Sequence, residues 1–379
     1  MSAGPAPDAP PLSAATARGL ATLALAAVVY ASLYPFEAWR NEVPQVQAWL
    51  LAPWPRYWTA MDLWVNWLGY VPLGMALALA FMRERVSWSR VLWATLGASV
   101  LSAALESLQS LMVHRVASNL DWAFNTLGAG VGAVLVHWGL RSPWRRQWLD
   151  WRRQHLLAGA GLFLSVLLFW LLLLPLPAVL PFAVGRLPPE VWAVWQAQVG
   201  TWLRWAFEAL GAAHGAWPWR WAEWPLFGQV VALSLLLLTP MALLRWVWAQ
   251  PVARALAAWL LLGLAVLVPT CAHLLMYGLD HAGDWLLPPV VGALGVAAVL
   301  APLWVNLPQR VLGGLALVLT LVQWGLVNAL AETSVWALQW QSFEQGRFVR
   351  WYGLLTWWSV LWPGAVFALL LRVFFLSRR

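Results

Sequence analysis

Asp62-Leu-Trp-Val-Asn66-Trp-Leu-Gly69 and Asp121-Trp-Ala-Phe-Asn125-Thr-Leu-Gly128 are two copies of one pattern, D-x-x-x-N-x-L-G, set 59 residues apart in otherwise apolar stretches. Asp and Asn are costly inside a bilayer and are seldom kept there without a partner or a task. A repeated pair at helical spacing is therefore the strongest pointer to function in the chain, and the apolar flanks around it decide the fold. The sequence is 62% apolar and only 10% charged, against about 25% charged in a soluble domain.

Ten segments are apolar enough to span as helices of about 20 residues: 19–36, 62–82, 91–113, 120–140, 156–176, 226–244, 255–277, 285–305, 311–330 and 351–371. The expected fold class is all-α, a polytopic transmembrane bundle of about ten helices. Charge placement orients it, because basic residues gather in short cytoplasmic loops. There is no Lys, and with a cytoplasmic N-terminus 15 Arg fall inside and eight outside, against three acids inside and twelve outside. The net charge of +8 then reflects topology and contact with anionic lipids, not nucleic-acid binding. The expected location is the bacterial inner membrane.

Four regions follow from composition. Residues 1–17, rich in Pro and Ala with Asp8 as their one charge, read as a disordered lead. Residues 18–140 hold both polar signatures, and the Arg- and Trp-rich stretch 141–155 (RSPWRRQWLDWRRQH) reads as a cytoplasmic linker. Residues 156–379 form a smoother apolar region of about six helices. Within it, Trp192, Trp195, Val199, Trp202 and Trp205 recur at three- and four-residue steps, which predicts an interfacial helix over 190–209. Trp336, Trp340 and Phe343 repeat the idea before the last helix.

The fourth expected helix places Asp121, Asn125, Gly128 and Gly132 on one face, a polar pair heading a glycine-smooth stripe. Such a stripe lets a neighbouring helix approach closely. Asp62, Asn66 and Gly69 repeat the first positions on the second helix. The third supplies a partner face of Ser99, Ser102, Glu106, Gln109 and Ser110, with Glu106 expected about two turns inside the outer boundary. Arg115 lies nine residues beyond Glu106, about 13 Å along a helix axis and half a turn out of phase. Only a fold-back of the His114–Ser118 turn brings it to Glu106, Asp62 or Asp121.

These residues define a candidate outer-leaflet site. Glu106, Asp121 and Asp62 are the acid/base candidates, Arg115 an anion clamp, and Gln109, Asn66 and Asn125 binding residues. Plainer roles stand beside them: Asp62 and Asp121 as N-terminal helix caps, and the two Asn as interhelical hydrogen-bond links. Glu106, expected deep in its helix, has no capping role. Cys271 and His273, two residues apart, point to different sides of one helix and make a poor nucleophile pair. Asp280, His281 and Asp284 read as a solvated turn. No metal site, no cofactor and no nucleotide fingerprint is expected.

Several motifs carry a resemblance: Tyr30-x-Ser-Leu-Tyr-Pro-Phe36, Asp62-x-x-x-Asn66-x-x-x-Tyr70-x-Pro-Leu-Gly74, and Glu106-x-x-Gln109 leading to Arg115, Asp121, Asn125 and Gly128. Together they resemble the VanZ-like family of bacterial membrane proteins over about residues 20–140. The resemblance implies a four- to five-helix core and a link, in the name-giving members, to reduced susceptibility to teicoplanin-type glycopeptides. The chain departs from short members in its long C-terminal region and in Asn66. The leading reading is a membrane protein acting on or binding an envelope component, a lipid-linked saccharide or lipid headgroup, with membrane lipids as partners. A proton-coupled transporter or flippase and a non-catalytic assembly partner remain as alternatives.

Overall fold

The computed structural model describes residues 14–34, 36, 39–40, 48–58, 60–82, 85–113, 115–175, 180–188, 191–194, 224–329 and 349–376. Its described residues form eleven α-helices: α1 (Ala14–Leu33), α2 (Ala60–Phe81), α3 (Trp88–Gln109), α4 (Asn119–Arg141), α5 (Trp144–His155), α6 (Ala160–Leu173), α7 (Leu226–Ala242), α8 (Pro251–Tyr277), α9 (Pro288–Trp304), α10 (Gln309–Ala329) and α11 (Val349–Leu376). No β-strand occurs among the described residues, only two isolated bridges. Every one of the ten expected apolar segments contains a helix.

Eight of these helices are long and apolar enough to cross a membrane; α6 and α9 are shorter, with 14 and 17 residues. At 1.5 Å per residue they reach about 21 and 26 Å, short of a hydrocarbon core of about 30 Å. Pro175 and Pro177 follow α6 and Pro288 opens α9, and proline denies the backbone N–H that continuation needs. The protein is an all-helical, multi-pass membrane protein.

Two expectations are corrected. The first helix starts at Ala14, so the last residues of the expected lead are helical. The stretch expected as a linker holds the helix α5, with no buried residue; Trp144, Trp148 and Trp151 share one face, and the Trp148 and Trp151 rings stack at 5.0 Å. α3 ends at Gln109, not near 113, because residues 110–113 turn and Met112 forms an antiparallel bridge with Trp39. The Trp-rich helix expected over 190–209 lies, apart from 191–194, outside the described residues, as do Trp336, Trp340 and Phe343.

The chain divides into two compact units, Met1–Trp151 and Arg152–Arg379. In the first, α2 and α4 make the most extensive helix pair. A Cβ at Gly128 would overlap the Trp67 carbonyl, one at Gly132 the Val71 carbonyl, and one at Gly74 the Ala129 carbonyl. Backbone therefore lies on backbone, the close approach that small residues permit. The pairs Trp67/Gly128 and Val71/Gly132 run in the same direction, so α2 and α4 are parallel, and their packing register falls close to the sequence repeat.

The second unit is built around a large apolar core to which α6, α7, α9, α10 and α11 contribute Trp170, Leu233, Leu237, Ala297, Leu312 and Leu370. Its non-helical segment 180–188 is unusual in being buried at Leu180, Phe182, Ala183 and Val184. Irregular backbone is tolerated inside a membrane bundle only where other groups satisfy it, and here they do. Trp170 Nε1 donates to Phe182 O, Gln323 Nε2 to Val184 O and Asn328 Nδ2 to Gly185 O, while Gly185 N donates to Ser359 Oγ and Leu187 N to Asn328 Oδ1. Gly185, at φ 103°, takes a left-handed conformation that glycine adopts without penalty.

Candidate functional site

The site forms where α3 turns into α4. Ser118 is the N-cap of α4, and its side chain accepts from Asp121 N at 3.3 Å. Ser118-x-x-Asp121 has the spacing of a capping box, in which the third helical residue takes the N-cap N–H. Here that N–H goes instead to Glu106 Oε2 at 2.9 Å. Glu106, buried at 4% exposure, thus sits at the positive end of the α4 dipole, where a carboxylate is favoured. Two expectations change: Ser118, not Asp121, is the cap of α4, and Glu106 lies in the last turn of α3 rather than two turns deep.

One turn inward, Ser102 is fully buried and receives Asn125 Nδ2 at 3.0 Å. The Tyr70 hydroxyl from α2 meets Ser102 and Ser32 and feels the charge of Glu106. A further turn inward, Ser99 Oγ accepts from Thr126 Oγ1 at 3.0 Å and from Trp122 Nε1 at 3.1 Å. α3 is thereby stitched to α4 at three successive levels. Asn66 lies one turn before Tyr70 on α2, and the parallel α2–α4 register sets it close to the level of Asn125.

Gln109 and Arg115 act first on α1. Gln109 Nε2 donates to Ser32 O and Arg115 Nη2 to Tyr34 O, both at 2.9 Å. These carbonyls close the C-terminal end of α1, where helices leave acceptors unpaired and favour cations. The chain then turns through Phe36 at φ 64°, held by an edge contact to Tyr30 at 5.5 Å, and returns Arg40. Arg40 donates its backbone N to Leu111 O at 2.7 Å and its Nε to Met112 O at 3.4 Å. Two guanidiniums, Arg115 and Arg40, thus stand at the mouth of the cluster. Trp49 roofs it, donating to Ser107 Oγ at 3.3 Å and meeting the Trp122 ring at 6.4 Å.

The structure brings Glu106, Gln109, Arg115 and Asn125 together around the α3–α4 turn and the end of α1, places Asp121 in the first turn of α4, and sets Asn66 one turn before Tyr70 on α2. Asp62 lies in the first turn of α2, with its side chain outside the described residues. Sequence reasoning missed Tyr70, Ser32, Ser118 and Arg40. Tyr70 was within reach, because the Asp62/Asn66 face extended by one turn ends on it. Elsewhere, His273 Nδ1 lies 3.0 Å from Pro269 O, one turn back on its own helix, and Cys271 is exposed. His281 and Asp284 form an exposed pair at 2.8 Å.

A family model matches the part of the chain that carries this four-helix arrangement. Residues 12–140 match the VanZ/LLP1 family model. The VanZ-like segment holds α1 to α4 and every residue of the cluster above. No curated protein and no solved structure matches the chain.

Proposed function

We propose that the protein resides in the bacterial inner membrane and uses its VanZ-like segment to bind or act on an envelope component, a lipid headgroup or lipid-linked saccharide. The observation that carries this reading is Glu106: a buried carboxylate set between the start of one helix and the end of another, beside the Tyr70, Ser102 and Asn125 hydrogen-bond chain. Buried carboxylates in such clusters are kept for chemistry or recognition more often than for stability. Glu106 and Asp121 would move protons, Arg115 and Arg40 would draw a phosphate, and Asn66 and Asn125 would orient the headgroup. A link to glycopeptide susceptibility belongs to this reading only through the family resemblance.

A second reading, an assembly protein without chemistry, is favoured by a different observation. Gln109, Arg115 and Asn125 each give a donor to another helix or its terminus, which is what interhelical links do. Mass spectrometry of envelope lipids and lipid-linked saccharides tests the two. Accumulation of one species in cells lacking the protein, reproduced by Glu106→Gln at normal abundance, supports the first reading and names the substrate class. Unchanged envelope lipids in the Glu106→Gln cells, with a defect only in the deletion, overturn it in favour of assembly.

A further inference from the structure

Two atoms in the cluster are buried and lack any hydrogen-bond partner: Asn66 Nδ2, a donor, and Asn125 Oδ1, an acceptor. They do not bond each other, and they stand on parallel helices six residues from the starts of α2 and α4. Each is therefore about 9 Å inside its helix end. An orphaned buried amide is expensive, and helix packing fixed by Gly128 and Gly132 leaves the two helices little freedom to close the gap. The α2–α4 register, with Gly128 on Trp67 and Gly132 on Val71, sets residues 66 and 125 within about one turn of each other along these closely packed helices, so one small group between them can serve both.

The required group accepts one hydrogen bond and donates another, as a hydroxyl does. If Asn125 is turned so that its other amide atom is the orphan, a hydroxyl still serves, since its proton rotates. What brings the hydroxyl to this depth is read from the mouth of the cluster, where Arg115 and Arg40 stand at the helix ends. Guanidiniums at the polar boundary match a phosphodiester. We propose that Asn66 and Asn125 hold a free hydroxyl on the headgroup of an anionic phosphodiester lipid, with Asn66 Nδ2 donating to its oxygen and Asn125 Oδ1 accepting its O–H. This deepens the lipid-headgroup reading and rests on it.

Two lipids of equal charge separate the hydroxyl from the phosphate: dioleoyl phosphatidylglycerol, with free hydroxyls, and dioleoyl phosphatidylmethanol, with none. The full chain is reconstituted in phosphatidylcholine nanodiscs doped with either, and its thermal unfolding midpoint is read. Phosphatidylglycerol is expected to raise the midpoint above phosphatidylmethanol by about 2–4 °C. Asn66→Leu and Asn125→Leu should each erase that difference, with Asn66→Leu no less stable in phosphatidylcholine alone because it removes an orphaned donor. Asn66→Asp, which keeps the shape and replaces the donor by an acceptor, should erase it as well and serves if a Leu variant does not accumulate. Equal midpoints in the two anionic lipids, both above phosphatidylcholine, overturn the hydroxyl assignment and leave phosphate recognition standing, as bridging by water alone requires. No rise with either lipid overturns the headgroup reading as well, and a difference that survives in the Asn66 variants removes Asn66 from the site.

Discussion

Ser118 gives its backbone N–H to the Glu106 carboxylate 2.9 Å away, so the cap of α4 is completed from α3 and not from the neighbouring Asp121. One hydrogen bond thus serves two purposes: it closes the α3–α4 turn, and it fixes a carboxylate in a buried place. The two purposes separate under substitution, because a neutral amide oxygen can still accept from Ser118 N, though more weakly than a carboxylate at a helix N-terminus.

Glu106→Gln is therefore expected to fold, at a cost within about 1 kcal/mol of the parent, and to lose function. Asp121→Asn should behave alike, since it keeps shape and removes the charge and the proton. The envelope-lipid profile at matched membrane abundance is the readout. A normal profile in both variants would leave these residues a structural role alone.

The α2–α4 contact predicts a sharp contrast among glycines. Gly128→Leu or Gly132→Val must push backbone apart, and a loss of about 3 kcal/mol or more is expected, at the upper end of overpacking costs. Gly130→Ala meets only the Thr95 side chain at 3.6 Å, an ordinary contact, and Gly97→Ala meets nothing; both should stay within about 0.5 kcal/mol or gain slightly from helix propensity. Midpoints of thermal unfolding in detergent decide, and equal effects at all four positions would refute the packing.

Orientation is predicted from the Arg asymmetry: the α3–α4 turn faces outward and α5 faces the cytoplasm. In a Cys271→Ser background, an impermeant thiol reagent applied to intact spheroplasts should label Ala117→Cys and spare Gln147→Cys. The opposite pattern would invert the protein and move the candidate site to the inner leaflet.

A fragment of residues 1–155 is expected to insert and to accumulate without the remainder, because α1 to α4 carry the whole VanZ-like cluster and the α2–α4 packing. Pulse-chase turnover compares it with the full chain. Rapid degradation of the fragment alone would mean that its stability depends on the C-terminal region.

Hydropathy makes the helices legible, and the glycine spacing after Asn125 marks a close-packing face, but the helix that meets it is α2, not the third helix that the polar residues suggest. Helix ends were harder. Ser110 to Val113 are apolar enough to read as more of α3, and only the bridge between Met112 and Trp39, 73 residues apart, takes their backbone out of the helix. That shift is why Glu106 was placed a turn too deep. Tyr70 is legible as the next position on the Asp62/Asn66 face, but its role appears only when serines from two other helices meet its hydroxyl. Gln323 and Asn328 on α10 and Ser359 on α11 are likewise scattered polar residues in apolar helices, and only segment 180–188 draws them to one place.

That segment also sets a timetable for biogenesis. Gly185 N reaches its acceptor Ser359 174 residues later in the chain, and Gly185 O waits 143 residues for Asn328. While the ribosome is still translating the intervening helices, these peptide groups have no native partner, and the C-terminal unit acquires its final form only after the last helix has left the exit tunnel. The VanZ-like unit, in which Arg115 reaches back only 81 residues to Tyr34, can be finished long before, so a nascent chain carries a mature first half beside an unripe second.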